Sequence, residues 1–293
     1  MHATSPDDEP IARALLDLAA GDAPAARAVL AQHLAAAPGD QLALALARHL
    51  DTVRGGGVYE HPEAFQAFID HGGNPALYAG TIAALRAYHE EQRPASVLDI
   101  GCGDGRVTLG ALGAPTTSVD LVEPSSPLLD QAVAAVTAAG RAVTPHTVGI
   151  EEFLAAGDAR WDLVQSTFAL HNLDAGRRGP VLVQLAARAW RLAIVEFDVP
   201  AFADHSPEHA AYAVRTYRRG IAEYPDHPHV VDGFLVPVLV AQFDPRRPRH
   251  THEQPTHAWE AELTAAGWRH VVSRKVADYW WATARITTAI ATL

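Results

Sequence analysis

The chain has one cysteine, Cys102, in 293 residues. That excludes a disulfide within the chain and disfavours a metal-thiolate cluster. Long hydrophobic runs are missing too: no apolar stretch approaches the roughly 18 residues of a membrane span. Positive charge is scarce, with 23 Lys and Arg against 34 Asp and Glu and a net charge of −11. Only Arg246-Arg247-Pro248-Arg249 clusters basic residues, and without a basic stripe to meet phosphates a nucleic-acid partner is disfavoured. The amino terminus carries acidic residues where a signal peptide needs basic ones. These absences lead to the expectation of a cytoplasmic protein with no membrane partner. What is abundant is hydrophobic residues, at 48%, enough to fill one large core or two modest ones.

The most informative segment is Ser96-Val97-Leu98-Asp99-Ile100-Gly101-Cys102-Gly103-Asp104-Gly105-Arg106. Val97, Leu98 and Ile100 supply the apolar run of a strand buried on both faces, and three alternating glycines let the backbone approach a ligand before a helix begins. Such a pattern serves several nucleotide cofactors and also simple tight turns, so its surroundings decide. Arg106 stands where a dinucleotide fingerprint would place its third glycine. Asp99, two residues before Gly101, suits an ammonium group, which S-adenosyl-L-methionine (SAM) has and NAD lacks there. The segment resembles the first motif of class I SAM-dependent methyltransferases, Asp/Glu-x-Gly-x-Gly-x-Gly. The resemblance implies SAM as cofactor, held by Asp99, Gly101, Gly103 and Gly105.

Later segments are similar to the same family in the same order. Thr117 to Val122 resembles a second strand closed by Glu123, followed by Pro124 and Ser125. By that resemblance Glu123, rather than Asp120 within the apolar run, accepts from the ribose hydroxyls, with Pro124 beside it. Val143 to Val148 follows as a third strand. Gly149-Ile150-Glu151-Glu152 resembles the loop over the adenine, with Ile150 on the ring and Glu151 near its amine. The other reading is a helix start favouring acidic residues. Trp161 to Leu173 looks like the fourth strand, with Ser166 in the implied cofactor set, and its post-strand loop. Arg191 to Phe197 reads as the fifth strand. Trp259 to Ala266 reads as a helix capped by Gly267, Val271-Val272 as a strand start, and Asp278 to Ile290 as an antiparallel seventh strand, although its alanines also suit a helix. Ala265-Ala266-Gly267-Trp268 is similar to the family's Ala-Gly-aromatic step. The implied fold class is α/β, a Rossmann-like doubly wound sheet of about seven strands with the last antiparallel, a helical amino-terminal extension and an inserted cap.

The expected organisation is a helical extension over 1–57, a helical lid over 58–94, and a SAM-binding domain over 95–293 with an insertion at about 199–255. Residues 10–50 are Ala- and Leu-rich with breaks at Gly21-Asp22 and Pro38-Gly39-Asp40. Gly21, Ala26, Leu30, Leu34 and Pro38 are similar to part of one tetratricopeptide repeat, which cannot form a solenoid alone. This extension serves dimerisation, giving a homodimer, or docking, or it is plain helical packing. Arg54-Gly55-Gly56-Gly57 is the expected hinge. In the lid, Tyr59, Phe65 and Tyr78 are candidates for the acceptor pocket or else ordinary core. The insertion is rich in histidine: His205, His209, His227, His229, His250, His252 and His257. His205 and His209 at helical spacing, His227-Pro228-His229 on a strand, and Asp204 or Asp226 allow a site of two histidines and a carboxylate. Scattered surface histidines are the competing reading, and no metal is assigned. Phe234 to Val240 is read as a pocket wall or dimer face.

Methyl transfer needs chiefly a close, aligned nucleophile, and an oxygen or carbon acid also needs a base. His171, after the fourth strand, is the candidate base; a structural capping histidine is the alternative. Ser166-Thr167-Phe168-Ala169 replaces the Asn/Asp-Pro-Pro-aromatic motif of enzymes that methylate amide or base nitrogens, and the strand end lacks the aspartate of magnesium-dependent catechol-type enzymes. The expected partner is a small-molecule methyl acceptor, such as a natural-product intermediate. A non-catalytic SAM-binding scaffold and an NAD-dependent oxidoreductase remain as alternatives.

Overall fold

The computed structural model describes residues 8–52, 62–247, 249 and 251–291. Tyr59, Gly55-Gly56-Gly57 and His250 lie outside the described residues. In chain order, the amino-terminal helices are α1 (Glu9–Ala19), α2 (Ala23–Ala36), α3 (Gln41–Thr52), α4 (Pro62–Asp70) and α5 (Asn74–Gln92). Strands and helices then alternate as β1 (Ser96–Ile100), α6 (Arg106–Ala111), β2 (Ser118–Val122), α7 (Ser126–Ala138), β3 (Ala142–His146), α8 (Ile150–Ala155), β4 (Trp161–Thr167), α9 (Ala175–Ala186) and β5 (Ala189–Asp198). Helices α10 (Pro207–Ala222), α11 (Pro228–Val230) and α12 (Val236–Phe243) follow, then α13 (Thr256–Ala265), β6 (Trp268–Ala277) and β7 (Thr283–Ala291).

The chain divides into two compact units. The α/β unit comprises Ala76–Pro200, His250–Asp278 and Ala282–Leu293. Its strands form one sheet in the order β3-β2-β1-β4-β5-β7-β6. β1 to β5 run parallel, and β7 pairs antiparallel with both β5 and β6. Alternation along β1 sets the two faces: Leu98 and Ile100 join a core with Val164, Leu192 and Trp268, whereas Val97 joins Leu85, Leu163 and Ala193 on the other side. Asp99 therefore shares the Val97 face. Pro145 is tolerated in β3 because β3 is an edge strand, where a missing amide breaks no interior ladder.

The helical unit comprises Met1–Pro75, Ala201–Arg249 and Tyr279–Trp281. The structure thus groups the extension and the insertion together instead of as separate attachments. Buried Ile11, Leu15, Leu42 and Leu46 of α1 and α3, and Val214, Tyr217, Val236 and Leu239 of α10 and α12, supply its core. Arg218 on α10 pairs with Asp8 at 2.6 Å and Asp40 at 2.7 Å, and His33 lies 2.8 Å from Asp40.

Several local expectations change. Phe234 to Val240 is a π-helical turn leading into α12, with Leu235, Val236 and Leu239 buried in the helical core and Phe234, Pro237, Val238 and Val240 half-buried. His227-Pro228-His229 opens a helix, not a strand, because Pro228 occupies the first helical position, where its missing amide costs nothing. His205 precedes the N-cap Ser206 of α10 and does not share a helix face with His209; its amide donates to His209 Nδ1 at 3.2 Å. The seventh strand begins at Thr283 rather than Asp278. Tyr279, Trp280 and Trp281 leave the sheet for the helical unit, where Trp280 and Trp281 meet Tyr217 edge-on.

Candidate active site

Three glycines turn the chain from β1 into α6, each for its own reason. All are in the left-handed region, Gly101 at φ 67°, Gly103 at 56° and Gly105 at 78°. A methyl group at Gly101 would come within 2.3 Å of Ala169 Cβ, and one at Gly105 within 2.7 Å of Ala132. These two glycines let the loop pack on the β4 exit and on α7. At Gly103 an added methyl would meet no atom within 4 Å, so this backbone borders open space of the kind a ligand fills. The helix that follows has only six residues, so its dipole is weak. Cys102 is buried, and burial with the nearby Asp99 and Glu123 charges pushes its thiol pKa well up. It is a filler, not a nucleophile.

Glu123 closes β2 and turns onto the glycine loop. Its Oε2 accepts from the Gly103 amide at 3.1 Å and its Oε1 from Ser125 at 2.9 Å. Asp120 is occupied elsewhere, by His146 Nε2 at 2.9 Å and Trp161 Nε1 at 2.8 Å. Pro124 is exposed beside Glu123. Asp99 is 3% exposed and accepts from Thr108 and Gln165, both on Oδ2. Ile150 is buried at the start of α8, while Glu151 is paired with Arg177. Ser166 has a different task from the expected one. It is wholly buried and its hydroxyl donates to the Ile100 carbonyl at 3.0 Å, pinning β4 to the end of β1. Ser166 therefore does not present its side chain to a cofactor.

β1 and β4 are adjacent, yet the chain continues from them toward opposite edges of the sheet, which opens a crevice at their carboxyl ends. The β4 exit loop lines it, with Ala169 against Gly101. Phe168 sits at φ 51°, a left-handed conformation costly for an aromatic residue, and stacks on Phe197 with centroids 4.5 Å apart. His171 follows on the turn Leu170–Asn172. Its Nδ1 lies 2.7 Å from Glu196 Oε2, while Glu196 Oε1 accepts from the Leu170 amide at 3.0 Å and the His171 amide at 3.3 Å. Burial opposes the imidazolium, but the charge and hydrogen bond of Glu196, helped by Glu253, outweigh it and raise the His171 pKa. With the carboxylate accepting at Nδ1, the lone pair sits on Nε2. Arg178, 1% exposed, braces the loop from below. It donates to the Leu173 carbonyl at 2.7 Å, pairs bidentately with Glu262, and lies 4.3 Å from the Trp259 ring centroid.

Glu196 escaped the sequence reading, though a signal was there. A carboxylate inside the apolar run Leu192 to Phe197 needs a buried partner. Among the acceptor candidates, Tyr78 stands in the α/β unit with the Arg106 guanidinium 5.5 Å over its ring. Phe65 belongs to the helical unit and packs on Phe234 at 5.3 Å. The histidines disperse: His205 Nε2 contacts the Gln242 carbonyl at 3.0 Å, His227 stacks on His71 at 4.0 Å, and the His252 amide donates to the His171 carbonyl at 2.6 Å. Among the described residues no three His, Cys, Asp or Glu side chains gather as a metal site.

Residues 97–199 match the family model of a methyltransferase domain. Among curated proteins none matches the chain. Similar solved structures include the magnesium protoporphyrin IX methyltransferase of Synechocystis PCC 6803 with bound SAH, at 15% identity and a TM-score of 0.52 over 78% of this chain and 94% of that one. Another is the 1,6-didemethyltoxoflavin-N1-methyltransferase of Burkholderia thailandensis with its substrate and S-adenosylhomocysteine (SAH), at 20% identity and a TM-score of 0.51 over 82% and 93%. Identity this low speaks for the fold, whereas the domain match covers the glycine loop, Glu123 and the His171 turn. Residues 97–199 of the α/β unit thus match a methyltransferase domain, in a fold shared with methyltransferases whose structures hold SAH.

Proposed function

We propose that the protein methylates a small molecule at an acidic oxygen, with His171 as the base. The observation that carries this reading is the 2.7 Å pairing of His171 Nδ1 with buried Glu196 on a loop that packs against Gly101. SAM, when bound, supplies an electrophilic methyl on a sulfonium. Glu123 receives the ribose hydroxyls, Asp99 the ammonium, and Ile150 packs on the adenine, while Gly103 leaves room for the cofactor chain. Glu196 fixes the imidazole tautomer so that Nε2 faces the acceptor and takes its proton. The Leu170 and His171 amides hold that carboxylate in turn, so the base is placed by the backbone of its own turn. A net charge of −11 and the lack of a basic stripe favour a small acceptor over nucleic acid.

The test is transfer of labelled methyl from SAM to a panel of small phenols, carboxylic acids and amines. The expected result is turnover of an oxygen acid that falls about 10²-fold or more in His171→Asn, with SAH affinity unchanged in calorimetry. Full transfer by His171→Asn, or turnover confined to amines, would overturn this reading.

A further inference from the structure

Under the glycine loop, the sheet face covered by α5 carries a polar chain within an apolar layer. Thr108 Oγ1 donates to Asp99 Oδ2 at 2.5 Å, Gln165 Nε2 donates to the same oxygen at 2.7 Å, and Gln165 Oε1 lies 2.8 Å from His89 Nε2. His89, Gln165 and Thr108 are all 0% exposed. The partners fix every orientation. Gln165 must turn its NH₂ toward the carboxylate, so its carbonyl accepts, and His89 must carry its hydrogen on Nε2. The other ring nitrogen, Nδ1, is then a bare acceptor, and it is buried without a partner. Burial, opposed by the Gln165 hydrogen bond, lowers the His89 pKa, in keeping with a neutral ring.

An imidazole and an amide buried at this cost have one shared effect: they hold a single oxygen of Asp99. Both donors reach one oxygen, which sets the plane of the carboxylate, and the Gln165 amide cannot turn over without setting its carbonyl against that oxygen. We propose that His89 and Gln165 are positioning residues for the cofactor, holding Asp99 by Oδ2 so that Oδ1 is presented to the ammonium. The proposal rests on the assignment of Asp99 to that ammonium.

The test compares two ligands on the full chain by calorimetry. SAH carries the ammonium, whereas 5′-methylthioadenosine keeps the adenosine and lacks the amino-acid end. His89→Phe and Gln165→Leu should each weaken SAH about tenfold or more and leave methylthioadenosine within about twofold. His89→Gln, which returns an N–H donor near the Nε2 position, should restore most of the SAH affinity. Equal weakening of both ligands in both variants would overturn the proposal, since a layer that merely supports the loop acts on the whole cofactor. Unchanged SAH binding in these variants, with a selective loss in Asp99→Asn, would refute the relay and leave the Asp99 assignment standing. Unchanged SAH binding in Asp99→Asn would remove that assignment and the relay with it.

Discussion

At Asp99 the proposed ammonium contact and the stability of the fold pull apart. Burial pushes its pKa up to about 6, against hydrogen bonds from Thr108 and Gln165 and with help from the Glu123 charge. A raised carboxylate pKa means that the folded state prefers the protonated form. The corresponding stability is present below the ordinary value of 3.8 and is lost as pH rises through about 6. Asp99→Asn keeps an acceptor for both donors and removes the buried charge. It should raise stability near pH 7.5 by about 1–3 kcal/mol and by nothing near pH 4, as read by thermal melts, while weakening SAH. His171 gives a second pH signature. The rate should climb with pH through a midpoint above 6.5, and Glu196→Gln should move that midpoint down because the charge that raises it is gone; a pH–rate profile of the two proteins checks this. The place of Glu123 at the end of a strand was legible in the sequence, and so was that of the glycines between β1 and α6. Glu196, Gln165 and His89 were not assigned roles, because their partners lie 25 and 76 residues away and only the sheet brings them together.

Between elements, Arg178 is the brace whose loss should be felt most. It joins α9 to Glu262 on α13 and to the turn that carries His171, with its guanidinium almost wholly excluded from water. Arg178→Ala would leave Glu262 without its cation and Leu173 without a donor. The expected cost is about 3 kcal/mol, at the low end for a buried pair because Glu262 keeps 22% exposure, as measured by urea denaturation. Transfer should fall further than SAH affinity, since the turn bears the proposed base. The elements themselves were read well where one period governs: β1, β2, β4 and β5 are apolar runs with ends marked by glycine, acidic or turn residues. β7 was misjudged at its start because Tyr279-Trp280-Trp281 has the composition of a strand, yet Tyr279 and Trp280 are buried and the two tryptophan rings pack against Tyr212 and Tyr217 of α10. Composition reports that aromatic residues want burial and is silent on which core receives them.

On the scale of the molecule, the helical unit is closed by a charge cluster. Burial opposes ionisation of Asp40, but Arg218, His33 and the Ala43 amide outweigh it and hold its pKa down at about 2. That stability is present above pH 3.8 and is lost as pH falls toward 2, an amount of about 2 kcal/mol. The stability gap between wild type and Asp40→Asn, followed by melts, should therefore close between about pH 5 and pH 2. The sequence separated the extension from the insertion because nothing local links α1 with α10; Arg218 and Asp8 are 210 residues apart. That separation also sets a timetable. Helices α1 to α3 leave the ribosome long before α10 and α12 exist, and at synthesis rates of about 5–20 residues per second the delay is roughly 10–40 s. Throughout that interval α1 to α3 have one another, but the faces that α1 and α3 turn to α10 and α12 have no mate. The helical unit therefore closes only after most of the α/β unit has been made.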